Sequence, residues 1–228
     1  MKKAFFAALP IMASYIVLGI PCGILGTHAG MSVLQIALMS ILFFSGAGQY
    51  LIANMWLTAT PIASIVLSVS LVNTRHILYS ASLSRFCEKA SKRMSALFAV
   101  AITDETFGVN LERFDTDSSW NLRQGTMLNF FSQGSWILAN IIGAVLGSVL
   151  AVPTALASFA MTSIFLCLLF MQKFSKPALA AVVVAAAGVI ACKLIGFSEP
   201  AIFVGALLGV GAAMLASRKK EPEGGEAS

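Results

Sequence analysis

The chain has 228 residues, of which 58% are hydrophobic and only 11% are charged, and its formal net charge is +5. No polar region is long enough to form a separate soluble domain, so the composition predicts an all-α, polytopic integral membrane protein. The basic residues lie mostly at segment ends and in the tails, where they fit the anionic lipid of a cytoplasmic membrane face and not a nucleic acid.

Eight apolar segments have roughly the ~20 residues that cross the hydrocarbon core of a membrane. They are residues 4–26, 33–58, 60–83, 94–111, 125–149, 153–172, 177–196 and 199–217. Turn residues mark the short connections, namely Gly30, Pro61, Pro153, Pro177 and Pro200. We therefore predict one transmembrane domain over residues 1–217, followed by a short charged cytoplasmic tail at 218–228.

The number of segments that cross completely is predicted to lie between six and eight. Eight full spans with cytoplasmic termini would leave the four basic residues of the connection 84–93 outside, against the preference of basic loops for the cytoplasm. If the second and fourth segments are instead re-entrant, with interruptions at 45–48 and 103–105, these basic residues lie inside. Either arrangement places both termini in the cytoplasm.

An internal echo indicates a possible repeat. Phe43-Phe44-Ser45 resembles Phe130-Phe131-Ser132 at an offset of about 87 residues. This offset would superimpose segments one to three on segments four to six, which predicts a 3+3 repeat with discontinuous helices. If each three-segment unit has an odd number of full spans, the two units are inverted relative to each other. Sequences of few apolar residue types also produce such echoes by chance.

The second segment contains Ser45-Gly46-Ala47-Gly48-Gln49, in which two glycines lie between a hydroxyl and an amide. Glycine permits local unwinding, and an unwound helix offers free N–H and C=O groups to the charged ends of an amino acid or to a coupling ion. The alternative is that the glycines let two helices pack closely. The first segment would be interrupted in the same way at Gly19, Pro21 and Gly23.

The third segment carries Asn73, Arg75 and His76 among apolar residues. A charge at the centre of a membrane helix costs about 2.5 to 3.5 kcal/mol, so it needs a partner or a function. Arg75 would neutralise an acidic partner or a substrate carboxylate, and His76, which ordinarily titrates near physiological pH, would exchange protons. The alternative is that Arg75 snorkels to the membrane surface and His76 is a hydrogen-bonded core residue.

The fourth segment contains the adjacent acids Asp104 and Glu105. Neighbouring residues on a helix point about 100° apart, so one carboxylate can face Arg75 while the other faces a cavity or caps a broken helix. A proton-coupled carrier needs such a buried group. The alternative is a surface helix in which both carboxylates are solvated.

Two later segments carry polar groups of lesser interest. In the fifth segment, uncharged side chains would line the same cavity or join helices, and these are Asn129, Ser132, Gln133, Ser135 and Asn140. Lys193, near the end of the seventh segment, is predicted to snorkel to the membrane surface.

No catalytic residue, metal site or cofactor is predicted. The cysteines at 22, 87, 167 and 192 lack the paired spacing of a zinc site or a disulfide framework. The chain has neither a P-loop motif nor a His-Glu-x-x-His motif. The other classes to weigh against a carrier are an intramembrane hydrolase, in which Glu105 and His76 would bind metal or activate water, and a non-transporting scaffold.

Three motifs together resemble the AzlC family, the large subunits of branched-chain amino acid exporters. They are Phe44-Ser45-Gly46-Ala47-Gly48-Gln49-Tyr50, Asn73-Thr74-Arg75-His76-Ile77-Leu78-Tyr79-Ser80-Ala81-Ser82-Leu83 and Thr103-Asp104-Glu105-Thr106-Phe107. The chain departs from the family pattern at Gly48, where a serine is expected, and at Asn73, where some relatives carry aspartate.

The resemblance implies a permease of the bacterial cytoplasmic, or inner, membrane that exports branched-chain or other hydrophobic amino acids with a small AzlD-type membrane subunit. We expect alternating access driven by an ion gradient, with protons as the coupling ion. The expected substrate-binding or helix-break residues are Ser45, Gly46, Gly48, Gln49 and Asn73. The expected coupling residues are Arg75, His76, Asp104 and Glu105. The alternative is a carrier for another small zwitterionic or organic solute.

Overall fold

The structure is a computed structural model that describes residues 1–150, 155, 159, 162, 163, 166, 175–196 and 201–218. Within these ranges the secondary structure is helical. The α-helices are α1 (Lys2–His28), α2 (Val33–Leu42), α3 (Gly46–Leu57), α4 (Ile62–Leu83), α5 (Lys92–Val100), α6 (Asp104–Thr116), α7 (Leu122–Val149), α8 (Lys176–Leu194) and α9 (Ala201–Arg218). A short 3₁₀ helix, Ser84–Phe86, follows α4.

Four described helices are long and apolar enough to cross a membrane, and they are Lys2–His28, Ile62–Phe86, Leu122–Val149 and Lys176–Leu194. They coincide with the first, third, fifth and seventh predicted segments. The predicted segment 153–172, with Pro153 and Cys167, lies largely outside the described residues, as do Pro200 and the tail beyond residue 218. The count of six to eight full spans stays a prediction.

The contacts group the chain into two units. One contains Met1–Ala59 and Val69–Phe165, and the other contains Thr60–Ser68 and Leu166–Ser228. In the second unit, α8 and α9 pack closely and antiparallel, because a Cβ atom on Gly205 or Gly209 would lie only 2.8 Å from the carbonyl oxygen of Ala185 or Ala181, respectively. The predicted single domain over residues 1–217 stays a prediction.

The centre of the first unit is the pair α1 and α7, which run parallel and almost touch through their backbones. A Cβ atom on Gly23 would lie 2.1 Å from the carbonyl oxygen of Asn140, and one on Gly143 would lie 2.0 Å from that of Ile20. Small residues four positions apart permit such close packing of membrane helices. Gly19 and Gly23 therefore serve packing, and the predicted interruption of the first segment is wrong, since α1 is continuous through Pro21.

The second and fourth predicted segments are both interrupted at the expected residues. The second divides into α2 and α3, and the fourth divides into α5 and α6. Each piece has 9 to 13 residues, which is too short to cross the hydrocarbon core alone. Each interruption exposes the N-terminus of a half-helix, at Ser45 for α3 and at Thr103 for α6.

The half-helices α5 and α6 fold back on each other as a hairpin. Phe98 of α5 packs edge-on against Phe114 near the end of α6, with ring centroids 6.1 Å apart. The outer end of α6 lies beside the start of α1, because Lys3 donates a hydrogen bond of 2.6 Å to Ser119. It also lies beside the end of α4, since Arg85 donates to Asp115 over 3.1 Å. The open end of this hairpin, opposite the tip at Thr103, therefore lies level with the start of α1 and the end of α4. We call this open end the mouth of the hairpin.

The half-helices α2 and α3 fold back in a similar way. The Gln49 side chain, on the first turn of α3, donates to the carbonyl oxygens of Phe43 and Met39 over 2.7 and 3.4 Å. The outer part of α2 lies beside the last turns of α1, where Ile36 fills the space above Gly26. The mouth of this hairpin is therefore at the opposite end of α1 from that of the other hairpin.

The two sequences of the internal echo have different local structures. Phe43-Phe44-Ser45 lies at the interruption between α2 and α3, whereas residues 130–132 lie within the continuous helix α7. An offset of 87 residues also places the unbroken helix α1 on the interrupted pair α5 and α6. The 3+3 repeat therefore has no support from the helix boundaries, although the discontinuous helices themselves are present.

Candidate functional site

Both interruptions are built on a hydroxyl that caps the following half-helix. Ser45 Oγ accepts a hydrogen bond from the backbone N–H of Gly48 over 3.2 Å, and Thr103 Oγ1 accepts one from that of Thr106 over 3.4 Å. Such caps satisfy one of the unpaired N–H groups at a helix start. Ser45 and Thr103 each supply a side-chain oxygen to the N–H group three residues later. This capping explains why α3 and α6 begin directly after these two residues.

Tyr15 of α1 reaches both interruptions. Its ring packs edge-on against Phe44, with centroids 6.1 Å apart, and its hydroxyl donates to Glu105 Oε2 over 2.6 Å. Thr103 Oγ1 lies 2.6 Å from the same hydroxyl and is the donor of that bond, because the Tyr15 proton is already committed to Glu105. Tyr15 lies about 20 Å along the axis from the start of α1, so the interruptions meet near the middle of this helix.

The polar residues of α4 make contact with both interruptions. Ser45 Oγ donates to Asn73 Oδ1 over 2.7 Å. Two residues further along the helix, Arg75 Nη1 lies 2.9 Å from Asp104 Oδ2, and the Tyr79 hydroxyl donates to the other oxygen of the same carboxylate. The structure thus brings Ser45, Asn73, Arg75, Asp104 and Glu105 together around Tyr15.

The ion pair of Arg75 and Asp104 lies in a largely enclosed position. The two side chains retain 23% and 19% of their exposed area, so neither is solvated as a surface residue would be. The expected interior pairing is therefore observed, and neither snorkelling of Arg75 nor a solvated surface helix describes these residues. Within the described residues, no group accepts a hydrogen bond from the buried Arg75 Nε.

Gln49 holds the other interruption together. This side chain is fully buried, and its oxygen accepts hydrogen bonds from Trp136 Nε1 over 3.1 Å and from Ser40 Oγ over 3.4 Å. Its nitrogen donates to the free carbonyl of Phe43 at the end of α2. Gly46 packs on the Trp136 ring, which a Cβ atom would approach to 3.1 Å. Gln49 and Gly46 therefore stabilise the break itself, and Gly48 leaves room for the Ser45 hydroxyl and the Phe43 ring.

His76 lies beside this cluster. Its ring is tilted against that of Tyr79, with centroids 6.1 Å apart, and it has no hydrogen bond to a described residue. The interpretation of His76 as a hydrogen-bonded core residue therefore does not hold within the described part of the chain. Whether it takes part in proton exchange stays a prediction.

The polar residues of α7 divide between two that join helices and three that bond within α7. Asn129 donates to the carbonyl oxygen of Phe98 over 2.9 Å and accepts from Asn110 at the same distance, so it fastens both half-helices of the second hairpin. Gln133 donates to the carbonyl oxygen of Ile41. Three further side chains bond to the backbone of α7 itself, and these are Ser132, Ser135 and Asn140. Lys193 is exposed at the end of α8, as snorkelling requires.

The outer ends of the helices carry solvated charges. Asp117, in the turn between α6 and α7, accepts a 2.5 Å hydrogen bond from the Ser119 hydroxyl and one from its backbone N–H. These bonds, with the nearby Lys3, hold the pKa of Asp117 below its usual value. In the connection after α4, burial raises the pKa of the Cys87 thiol.

Sequence reasoning missed Tyr15. The signal was present in the scarcity of tyrosine, since the chain has only three. A buried tyrosine hydroxyl normally finds a hydrogen-bond partner, and here Tyr15 and Tyr79 both donate to carboxylates while Tyr50 donates to the carbonyl oxygen of Leu18 over 2.7 Å. Among the residues that the structure describes, no group of three metal-ligating side chains occurs.

The sequence is similar to several known membrane proteins. The chain is 33% identical over 192 residues to "Inner membrane protein YgaZ" of Escherichia coli K12, an alignment covering 80% of this chain and 78% of the relative. It is 29% identical to "Branched-chain amino acid transport protein AzlC" of Bacillus subtilis 168, covering 77% and 68%, respectively. A membrane protein of Archaeoglobus fulgidus is 28% identical, with 91% of each chain covered.

No solved structure matches the chain. The AzlC protein family matches residues 10–150, a range that contains both interruptions and every residue of the cluster around Tyr15. The chain therefore belongs to the AzlC family of membrane transport proteins.

Proposed function

We propose that this protein is a permease that exports branched-chain or other hydrophobic amino acids by gradient-driven alternating access. The observation that carries the proposal is the charged cluster of Arg75, Asp104 and Glu105 at the start of α6, where the two helix interruptions meet. Discontinuous helices with polar groups near the membrane midplane are the arrangement that many secondary transporters use for substrate and ion binding. Charges in such a position are costly and are normally retained for function.

The proposed substrate site lies between the interruptions. A zwitterionic amino acid needs an anion-binding group, a cation-binding group and an apolar surface. Arg75 offers its unpaired Nε–H to a carboxylate, and Glu105 offers a carboxylate to an ammonium group. The rings of Phe44 and Trp136, which are buried against Tyr15 in this structure, would supply apolar surface of the kind that lines most small-molecule sites once the site opens.

The proposed coupling groups are Asp104, Glu105 and His76, with protons as the coupling ion. Asp104 is paired with Arg75, whereas Glu105 is held only by the neutral hydroxyl of Tyr15 among the described residues. Glu105 is therefore the carboxylate whose charge is least compensated, and a proton or a substrate ammonium group would compensate it. His76 lies one helical turn before Ser80 and beside Tyr79, where it would relay a proton towards Asp104.

The membrane setting of the proposal is the bacterial cytoplasmic membrane, with both termini in the cytoplasm. Lys3 and Arg85 lie at one level, and because basic loops prefer the cytoplasm we assign this level to the inner face. A small AzlD-type subunit is the proposed partner, and a carrier for another small zwitterionic solute is the alternative.

The test is efflux of preloaded labelled valine and leucine from cells without their own exporters. The chain is expressed alone and together with a small membrane subunit, and membrane abundance is measured in each case. We expect faster efflux that is abolished by Glu105→Gln and strongly reduced by His76→Ala, and that collapses when an ionophore removes the proton gradient. The matched control is Thr74→Val, on the same helix, because among the described residues the Thr74 hydroxyl bonds only to the carbonyl oxygen of Ser70.

The outcomes separate the parts of the proposal. Unchanged efflux both with the chain alone and with the small subunit present, at good membrane abundance, would contradict the substrate class. Efflux that persists after the ionophore would retain the substrate class and contradict proton coupling. Activity only in the presence of the small subunit would support the proposed partner.

A further inference from the structure

We infer that residues 4–57 and 62–115 are two copies of one structural unit, a spanning helix followed by a re-entrant hairpin, inserted in opposite orientations. We further infer that Tyr15 and Asn73 are equivalent positioning residues. Each helps to close the substrate pathway towards one face of the membrane. The orientation of the units is independent of the proposed function, whereas the role in opening and closing rests on it.

The first argument is the agreement of helix boundaries at a single shift of 58 positions, the separation of Ser45 and Thr103. This shift takes α3 (Gly46–Leu57) onto residues 104–115, against the observed α6 (Asp104–Thr116). It takes the end of α2 onto the end of α5, and His28, the last residue of α1, onto Phe86, where the helix of α4 and its 3₁₀ extension ends. Serine N-caps begin both hairpins, at Ser32 and Ser91.

The second argument is an exchange of contacts between the units. The capping residue Ser45 of the first hairpin bonds to Asn73 of the second spanning helix. The equivalent residue Thr103 of the second hairpin bonds to Tyr15 of the first spanning helix. The same shift of 58 positions relates Tyr15 to Asn73 and Ser45 to Thr103. A contact and its exchanged copy are the signature of a two-fold axis between like units.

The third argument is direction. The mouth of the hairpin α5–α6 lies at the level of Lys3, the start of α1, and the mouth of the hairpin α2–α3 lies near the end of α1. The end of α4 lies beside Asp115, so α4 runs opposite to α1. Each hairpin thus enters from the side on which its own spanning helix ends. The axis that relates the units therefore lies in the membrane plane, as in inverted-repeat transporters.

The charges break this symmetry in an informative way. The positions equivalent to Asp104 and Glu105 are Gly46 and Ala47, and the position equivalent to Arg75 is Val17. The copy at residues 62–115 thus carries all the ionisable groups of the cluster, while the copy at residues 4–57 carries small residues at the equivalent positions. This difference hides the repeat from a comparison of the two sequences.

A two-fold axis in the membrane plane exchanges the two faces of the membrane together with the two contacts. If the Ser45–Asn73 contact closes the pathway towards one face, the Thr103–Tyr15 contact closes it towards the other face. Loss of one contact therefore shifts the protein towards opening on one face, and loss of the other shifts it towards the opposite face.

The orientation is tested by single cysteines in a chain whose own cysteines have been replaced, labelled with a membrane-impermeant thiol reagent in intact and in inverted vesicles. Glu88→Cys and Ser118→Cys report the two ends of the hairpin α5–α6, and Met31→Cys and Thr58→Cys report those of α2–α3. We expect the members of each pair to label from the same face and the two pairs to label from opposite faces. Full spans would place the members of a pair on opposite faces, and that result would overturn the inference.

The closing role is tested with the reporter Ala47→Cys at the tip of the first hairpin. The labelling rates from the two faces are compared before and after Asn73→Ala or Tyr15→Phe, neither of which removes a cap. We expect the ratio of the rates to change about two- to tenfold for Asn73→Ala, the equivalent of one hydrogen bond. Tyr15→Phe should change it at least as much and in the opposite direction, because it removes the bond to Glu105 as well as the one to Thr103. Changes in the same direction, or no change from either variant, would overturn the equivalence of the two contacts.

Two variants serve as matched controls. Thr74→Val and Ser14→Ala each remove a hydroxyl next to a positioning residue, and in the part of the chain that the structure describes both hydroxyls bond only within their own helix. They should leave the ratio unchanged. Because labelling requires no transport, a failed efflux assay with the expected labelling would reject the substrate and retain the architecture.

Discussion

The ion pair of Arg75 and Asp104 offers the sharpest test of how the cluster is held together. Asp104→Asn keeps the size of the side chain and its hydrogen bond from Tyr79, but leaves the Arg75 charge without its anion at 2.9 Å. Breaking a buried ion pair in this way costs about 3–5 kcal/mol. Since both side chains keep about one fifth of their exposed area, we expect a loss of about 2–4 kcal/mol in the free energy of unfolding.

The double variant Arg75→Gln with Asp104→Asn removes both charges and should recover most of this loss. The comparison is a double-mutant cycle, in which the two single variants, the double variant and the unaltered protein are measured at one pH. Thermal unfolding in detergent is the assay, and each single variant should lower the midpoint by roughly 5–15 °C for a chain of this length. Labelled amino acid efflux is measured on the same four proteins.

The combination of the two measurements decides what the charges do. If the pair serves transport, the double variant is stable and inactive. A double variant that is both stable and active would show that the charges serve neither stability nor transport. Single variants that unfold at the midpoint of the unaltered protein would refute the enclosed ion pair itself.

Three further outcomes follow from local geometry. Gly143→Ala should cost about 3 kcal/mol or more and sharply lower membrane abundance, because its Cβ atom would stand 2.0 Å from a carbonyl oxygen of α1, whereas Gly134→Ala in the same helix meets open space and should be neutral or slightly stabilising. Gln49→Leu should lower the unfolding midpoint by the equivalent of about 2–4 kcal/mol, because it strands the Trp136 N–H and the Phe43 carbonyl. Ser119→Ala should destabilise the protein at neutral pH and not in acid, since the lowered pKa of Asp117 stabilises the fold only while the carboxylate is ionised. Melting curves between neutral pH and pH ~3 check this difference, and an effect that grows in acid would contradict it.

The interruptions could be predicted from sequence because they depend on local chemistry. Two glycines after Ser45 and two acids after Thr103 are poor choices for a continuous apolar helix and good choices for a capped start. The pairing of Arg75 with an acid was predictable for a similar reason, since an unpaired charge in a membrane helix is expensive. Each of these predictions needed only a few neighbouring residues and one energetic argument.

The folding back of both interrupted segments could not be predicted in the same way. Whether a broken segment crosses or returns depends on contacts far apart in sequence, such as Lys3 with Ser119 and Arg85 with Asp115. The role of Gly23 was misjudged because a glycine that permits unwinding and a glycine that permits close packing look identical in sequence. Only the position of Gly23 against the backbone of α7 distinguishes the two.

The helix interruptions and the charges depend on each other. A half-helix N-terminus carries about half a positive charge, and the first turn of α6 places Asp104 and Glu105 at that end. Two acids can therefore lie near the middle of α1 with a single arginine, because the helix start supplies part of the missing compensation. Arg75, Asp104 and Glu105 would sum to a formal charge of −1 if all three were charged, and the partial charge of the helix start would only reduce it. A proton or the ammonium group of a bound zwitterion would neutralise the remaining negative charge. In an unbroken helix at this site, the two acids would also lack the partial positive charge of the helix start.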